Sequence, residues 1–440
     1  MQENITLNNN TSTESEDPEE TRKKITVPGL SGLRNIGNTC YMNSALQCLC
    51  ATNLLLAFLL KKDFHSDLYS NSQDIVANRV RKQENITDSD NVSVYVSDIK
   101  KEYKASVTYN LYKLIRAMWQ LNQEITPKTF KETIGRLNPV FKGYTQNDSQ
   151  EFLSFVLDRI HEELKREISV KYNNIPDSVK KYDIVRKNFT SSLENEQLDI
   201  TKKEEILSQF KTYKREHMPE VAIYKYLTYW KKYVENNHSI INDIFMGMYY
   251  TEIICKECNE KSLVFEPYNI LSLPIPDDGE IDLETCIKNF TVEEELKDKN
   301  QYKCEECKKY VDATRKTSIW ETPDVLIIQL KRFKNVGNFT TKVRCTVKYP
   351  INNLSFENYY SEYFPRNHKY DLYAVIQHTG SLHGGHYISH TKNAINNKWY
   401  EFNDNDVLHI PDDDLEKELV SRDSYILFYR KKEYFNYDEK

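Results

Sequence analysis

Apolar positions recur at helical spacing through the first third of the chain. Ala45, Leu46, Leu49 and Leu56 share one face, and Leu111 to Leu121 repeats the pattern. Asp148 to Leu164 is the clearest helix, with Leu153, Val156, Leu157, Ile160 and Leu164 as its buried stripe. Asp148 and Glu151 have the spacing of a capping box at its start. From Phe245 onward the pattern becomes strand-like: Met248 to Ile254 reads as one strand, and Val325 to Leu330 as a strand buried on both faces. Between these regimes, 170–240 is rich in Lys, Glu and Tyr, with helical patches such as Lys202 to Lys211. It reads as a charged helical insertion, a surface excursion that a flexible linker could replace. Residues 1–27 are polar and acidic and read as a disordered tail. Helices first and strands later, without an internal repeat, predict an α+β fold.

Composition narrows the class. The 440 residues are 39% hydrophobic with a mean hydropathy of -0.70, enough for a core beneath much polar surface. A net charge of -6 and a pI near 6.0 leave no basic footprint for nucleic acid. The most apolar stretch, Ala45 to Leu60, contains Gln47, Thr52 and Asn53 and is shorter than the ~20 residues that span a bilayer. Met1 to Glu20 lacks the apolar segment of a signal peptide. These features predict an intracellular protein, cytoplasmic or nuclear, monomeric and free of membrane, whose nine cysteines are reduced or metal-bound.

One cysteine stands apart. Cys40 follows Gly37, Asn38 and Thr39 at the entrance to the apolar helical run, with Asn38 placed as an N-cap. A helix N-terminus favours the thiolate, the nucleophilic form. A buried core cysteine is the commoner fate, so its partners decide. Far along the chain, Gly384-Gly385-His386-Tyr387 opens one strand-like run and Lys398 to Asp404 forms another. A nucleophilic cysteine needs a base and a polar group that holds the imidazole, and adjacent strands could bring His386 to Asn403 or Asp404. His378, His383 and His390 compete with His386, which leads because it follows two glycines and opens the strand. Strand alternation sends positions 403 and 404 to opposite faces. Asn403 is favoured, with Asp404 helping or replacing it.

Two further pairs, Cys255-Lys256-Glu257-Cys258 and Cys304-Glu305-Glu306-Cys307, have the spacing of metal knuckles. Four thiolates suit one tetrahedral zinc, although the 45 intervening residues exceed the usual zinc-ribbon separation. Four cysteines leave no open position, so the ion would be structural and catalysis would use none.

At this point the chain resembles the ubiquitin-specific proteases, papain-like deubiquitinating cysteine peptidases. Three blocks carry the resemblance in order: Gly32 to Leu49, Tyr144 to Leu153 and Tyr373 to Asp404. Smaller matches, Leu271 to Pro276 and Leu330 to Phe333, fall between them, and the likeness spans roughly 28–430. It implies a helical thumb, a β-rich palm and zinc-pinned β fingers. The organisation is then a catalytic domain over 28–434, with thumb 28–169, insertion 170–240, fingers 241–320 and palm 321–434, before a tail at 435–440. The long gap between the cysteine pairs fits two finger hairpins pinned at their tips by one zinc. The resemblance further implies hydrolysis after the terminal glycine of ubiquitin in conjugates or chains. Cys40 is the nucleophile, His386 the base, and Asn35 with the Cys40 N–H the oxyanion donors. Asp148 and Glu151 would grip the tail of ubiquitin, in a channel narrowed by Gly384, Gly385 and Tyr387. A silent ubiquitin-binding scaffold of the same fold is the alternative, and it would lack a catalytic residue. SUMO-type proteases place histidine before cysteine, the reverse of the order here.

Overall fold

The computed structural model describes residues 27–82, 92–336, 339–381 and 384–432. The expected tails, apart from residue 27, lie outside these residues, as does His383. The first part is helical. Helix α1 (Cys40–Cys50) is buried along its whole length. The helix α2 (Val107–Leu121) begins at Ser106, whose hydroxyl accepts from Tyr109 N. Its first free N–H groups, on Val107 and Thr108, donate to the buried carboxylate of Glu163 at 2.9 and 2.8 Å. Glu163 belongs to α3 (Ser149–Leu164), whose predicted stripe is buried at all five positions. The apolar stretch from Ala45 to Leu60 splits into α1 and the helix Asn53–Lys61, bent by 81° at the break. No single helix among the described residues is long and apolar enough to cross a membrane.

The second part is built on two main sheets, with three two-stranded ribbons beside them among the described residues. The smaller one orders β2 (Lys261–Tyr268), β1 (Gly247–Cys255), β4 (Ala313–Glu321) and the short strand Glu294–Leu296. The larger one has eight strands. Its path is β9 (Asp406–Ile410), β8 (Trp399–Asn403), β7 (Gly384–Lys392), β6 (Lys369–Ser381), β10 (Ser424–Lys431), β5 (Val325–Lys331) and β3 (Leu271–Pro274), and the eighth strand, Leu354–Ser355, pairs with the start of β6 off this path. Strand β5 is buried on both faces through most of its length, as its continuous apolar run predicts. Helix α1 lies between the helices and this sheet. Leu46 and Leu49 share one core with Phe152 and Val156 of α3 and with Tyr373, Ile376 and Phe428 of the sheet. That sandwich carries the N-terminus of α1 to the edge where β7 begins.

The insertion departs from expectation. It forms α4 (Asp177–Leu193), α5 (Ile200–Glu216) and α6 (Met218–Glu235), and α6 is no detached excursion. Its face of Ala222, Tyr226 and Tyr229 covers Met248, Tyr250, Phe265 and Trp320 of the smaller sheet. Trp320 is fully buried, with ring centroids 5.0 Å from Phe265 and 5.2 Å from Tyr226. Burying one such ring contributes ~1.5–3 kcal/mol, so a linker cannot replace α6 without baring the sheet. Helix α5 ties itself to the cysteine knuckles: Lys211 pairs with Glu306, Lys214 with Glu260 at 3.2 Å, and Arg215 donates to Cys258 O at 3.3 Å.

Candidate active site and metal cluster

Helix α1 starts at Cys40, with Thr39 rather than Asn38 in the N-cap position. Gly37 (φ +109°) and Asn38 (φ +52°) both take left-handed backbone and turn the chain sharply into the helix. That turn sends the Asn38 amide outward to donate to Tyr144 O at 2.8 Å. Capping passes to Asn35, whose Oδ1 accepts from Gly37 N and Thr39 N, each at 3.1 Å. Cys40 therefore sits in the first turn, where N–H groups without intrahelical acceptors favour an anion.

His386 meets this thiol from β7. Its Nε2 lies 2.7 Å from Asn403 Oδ1, and Cys40 stands close enough to be the main influence on its charge. The hydrogen bond with Cys40 raises the imidazole pKa to about 9 against the opposing effect of burial, and Asn403 adds to the rise. The sheet explains the pairing. Register sets Ser389 opposite Phe402 and His390 opposite Glu401, so His386 and Asn403 fall on one face as diagonal neighbours.

The other two candidate histidines among the described residues, His378 and His390, lie in different surroundings. His390 is buried, with Nε2 3.3 Å from Glu401 Oε2. His378 is buried with neither ring nitrogen bonded among the described residues, and burial, with Lys342 nearby, lowers its pKa to about 4.

Asp404 does not touch the imidazole. It adopts φ +53° just after β8, which turns its carboxylate back toward the cysteine box. Oδ2 accepts from Asn35 Nδ2 at 2.9 Å and Oδ1 from Asn43 Nδ2 at 2.8 Å, while its backbone carbonyl accepts from Leu33 N at 2.8 Å. Asp404 thus fastens the loop before Cys40 to the sheet that bears His386. An amide nitrogen has two N–H bonds, and Asp404 takes one of those of Asn35.

Asp148 caps α3 as its position predicts: Oδ1 accepts from Gln150 N at 2.6 Å and Glu151 N at 3.3 Å, and Oδ2 from the Tyr425 hydroxyl at 2.7 Å. Burial raises the Asp148 pKa against these bonds, and burial with the Asp148 charge raises that of Glu151. Two carboxylates that repel each other gain from any incoming donor or cation. Gly385 is held beside this stretch by Gln146, two positions before Asp148. A Cβ at Gly385 would lie 2.1 Å from His378 Nε2 and 2.4 Å from Thr379 O, whereas one on Gly384 meets, among the described residues, only Ser381 Oγ at 3.5 Å. Tyr387 is buried beneath, 4.3 Å from the His378 ring, its hydroxyl unpaired among the described residues. Gln146 escaped sequence reasoning. Its amide accepts from Gly385 N at 2.7 Å and donates to Gly385 O, which ties the approach to α3 to the strand of His386. Its partner lies 239 positions away, and no periodicity marks it.

The four knuckle cysteines converge. Their sulfurs all lie within 4.8 Å of one another, with Cys255–Cys307 at 3.8 Å and Cys258–Cys304 at 3.7 Å. The edge of a tetrahedron with metal–sulfur bonds of ~2.3 Å is ~3.8 Å, so this set could hold one ion. The two turns are alike. Cys255 N donates to Glu260 O and Cys304 N to Lys309 O, and Asn259 and Lys308 both take positive φ. Within each turn the second cysteine's N–H approaches the first sulfur, at 3.4 and 3.5 Å.

Comparison with known proteins finds the ubiquitin carboxyl-terminal hydrolase family matched over residues 31–429. The chain is 31% identical over 415 residues to ubiquitin carboxyl-terminal hydrolase 2 of Bos taurus, covering 93% of this chain and 56% of that protein. It is likewise 31% identical over 413 residues to ubiquitin carboxyl-terminal hydrolase 2 of Gallus gallus, covering 93% and 95%. The chain spans little more than half the length of several such relatives, 56% and 55% in the cow and rat proteins. A solved SAGA DUB module bound to ubiquitin aldehyde superposes with a TM-score of 0.58 at 22% identity, over 94% of this chain and 72% of that one. At that identity the likeness concerns the fold.

Proposed function

Because the chain belongs to the ubiquitin carboxyl-terminal hydrolase family, we propose that it is a cysteine-type deubiquitinase, cleaving the bond after the terminal glycine of ubiquitin in conjugates or chains. The observation that carries the reading is the meeting of Cys40, at a helix N-terminus, with an imidazole that Asn403 holds from its far side. The thiolate attacks the scissile carbonyl. The oxyanion is met by the free N–H of Asn35 and the backbone N–H of Cys40, one such donor being worth on the order of 10²–10³ in rate. His386 gives its proton to the leaving amine, and then activates the water that hydrolyses the thioester. Asn403 orients the imidazole, while Asp404 positions Asn35 and so acts through it. Asp148, Glu151 and Gly385 border the path of the ubiquitin tail, with Tyr387 beneath it and Gly384 at its open end.

Zinc is the metal that the four-thiolate set suits, and its part is structural: it would bind the two knuckles and contribute its binding energy to folding. The alternative of a silent scaffold loses ground because nucleophile, base and orienting amide meet in one place. The test is hydrolysis of a ubiquitin C-terminal fluorogenic amide. The wild-type chain should turn it over and Cys40→Ala should not, while still binding ubiquitin. Equal turnover by the alanine variant would overturn the mechanism.

A further inference from the structure

Helix α6 has two apolar faces, and the smaller sheet covers one. The other, built on Tyr224 and Leu227, forms with Val179 and Ile184 of α4 a groove of about 560 Å³ that is open along one side. The hydrolase reading makes no use of it. Ile184 stands 60% exposed at its edge. The groove is held in shape from behind: the Tyr172 hydroxyl donates to Leu227 O at 2.9 Å, and the rings of Tyr182 and Tyr224 meet at 5.6 Å.

We propose that this groove docks an acidic, apolar-anchored helical segment of a partner protein. Shape favours a helix. Tyr224, Leu227 and Lys231 follow one another at helical spacing along an open-sided trough, the form that takes an amphipathic helix rather than one that encloses a small molecule. Charge selects an acidic one. The rim acids are satisfied internally: Asp183 by Arg186 at 2.9 Å and Lys187 at 2.8 Å, and Glu235 by Val170 N at 3.4 Å and Lys231 at 3.6 Å. Lys232 has no partner among the described residues, and Lys180 pairs only with Asp177, which is 96% exposed. Residues 170–240 carry thirteen Lys and Arg against ten Asp and Glu, in a chain whose net charge is -6. A positive rim on an otherwise acidic molecule meets negative charge with the least repulsion elsewhere.

The test is selection of a displayed library of peptides of about sixteen residues on the full chain, with the Ile184→Glu chain as counter-target. A wild-type melting midpoint in that variant certifies its fold, since the side chain it alters is mostly exposed. Recovered peptides should be acidic, with apolar residues at helical spacing. They should bind Ile184→Glu and Lys232→Glu about tenfold or more weakly, and bind less tightly as salt rises. Peptides without negative charge, peptides that bind the variants equally, or no enrichment at all would overturn the proposal. So would oleate that binds the wild-type chain with loss in Ile184→Glu while no peptide does, which would make the groove a site for a free amphiphile.

Discussion

Asn403→Ala removes the acceptor 2.7 Å from His386 Nε2 and leaves the thiol–imidazole contact in place. A hydrogen bond to a charged group is worth ~1.5–3 kcal/mol, and the partial exposure of the imidazole argues for the lower end. About 1.5 kcal/mol is roughly a tenfold fall in kcat/KM. The same loss moves a titration. Asn403 helps to hold the His386 pKa at about 9, so its removal should lower that pKa by about one unit, at 1.36 kcal/mol per unit. The sign follows from which form is stabilised. The imidazolium paired with thiolate is present below the raised pKa and is lost as pH rises through about 9, so the alkaline limb of the rate profile should move toward neutrality in the variant. Asn403→Asp restores an acceptor with charge and should move the limb back. The assay is kcat/KM for a ubiquitin C-terminal amide across this range. Asp404→Ala should cost rate through Asn35 while displacing the limb less. An unmoved limb in Asn403→Ala, or a larger displacement in Asp404→Ala, would refute the assignment.

Three other outcomes are expected. Elemental analysis should find one zinc per chain, and Cys258→Ser should lower the melting midpoint and impair turnover of whole ubiquitin more than that of a short tail peptide; a metal-free wild-type protein with full stability would contradict this. Trp320→Ala should destabilise the chain by ~3–5 kcal/mol in denaturant unfolding, and Tyr226→Ala, on the insertion side of the same contact, should also destabilise it. An unaffected Tyr226→Ala would mean that α6 is not needed to cover the sheet. Gly385→Ala forces a Cβ to 2.4 Å from the Thr379 carbonyl, so it should cost ~1–3 kcal/mol and most activity, whereas Gly384→Ala should be tolerated on both counts.

Much of this was legible from residue types and order. The stripe of α3 and the buried run of β5 follow from periodicity, whereas the pairing of Cys40 with His386 and the convergence of cysteine pairs 45 residues apart were legible only from residue chemistry together with the family resemblance. The contact of Asn403 with the imidazole agrees with strand alternation. What escaped depends on backbone turns and distant partners. Asn38 and Asp404 both take left-handed backbone, which reverses where their side chains point, and no local pattern announces that reversal. The apolar face of α6 hid among lysines because Ala222, Tyr226 and Tyr229 supply it, and tyrosine counts as neither polar nor apolar in a periodicity.

The central claim is that Cys40 attacks the carbonyl at the end of ubiquitin. Its most direct test is incubation of the full chain with ubiquitin carrying a C-terminal electrophile, followed by intact-mass and peptide mass spectrometry. The account predicts one ubiquitin added per chain, attached at Cys40, absent in Cys40→Ala and slowed in His386→Ala. Attachment at another cysteine, or no adduct from a folded wild-type chain, would contradict it.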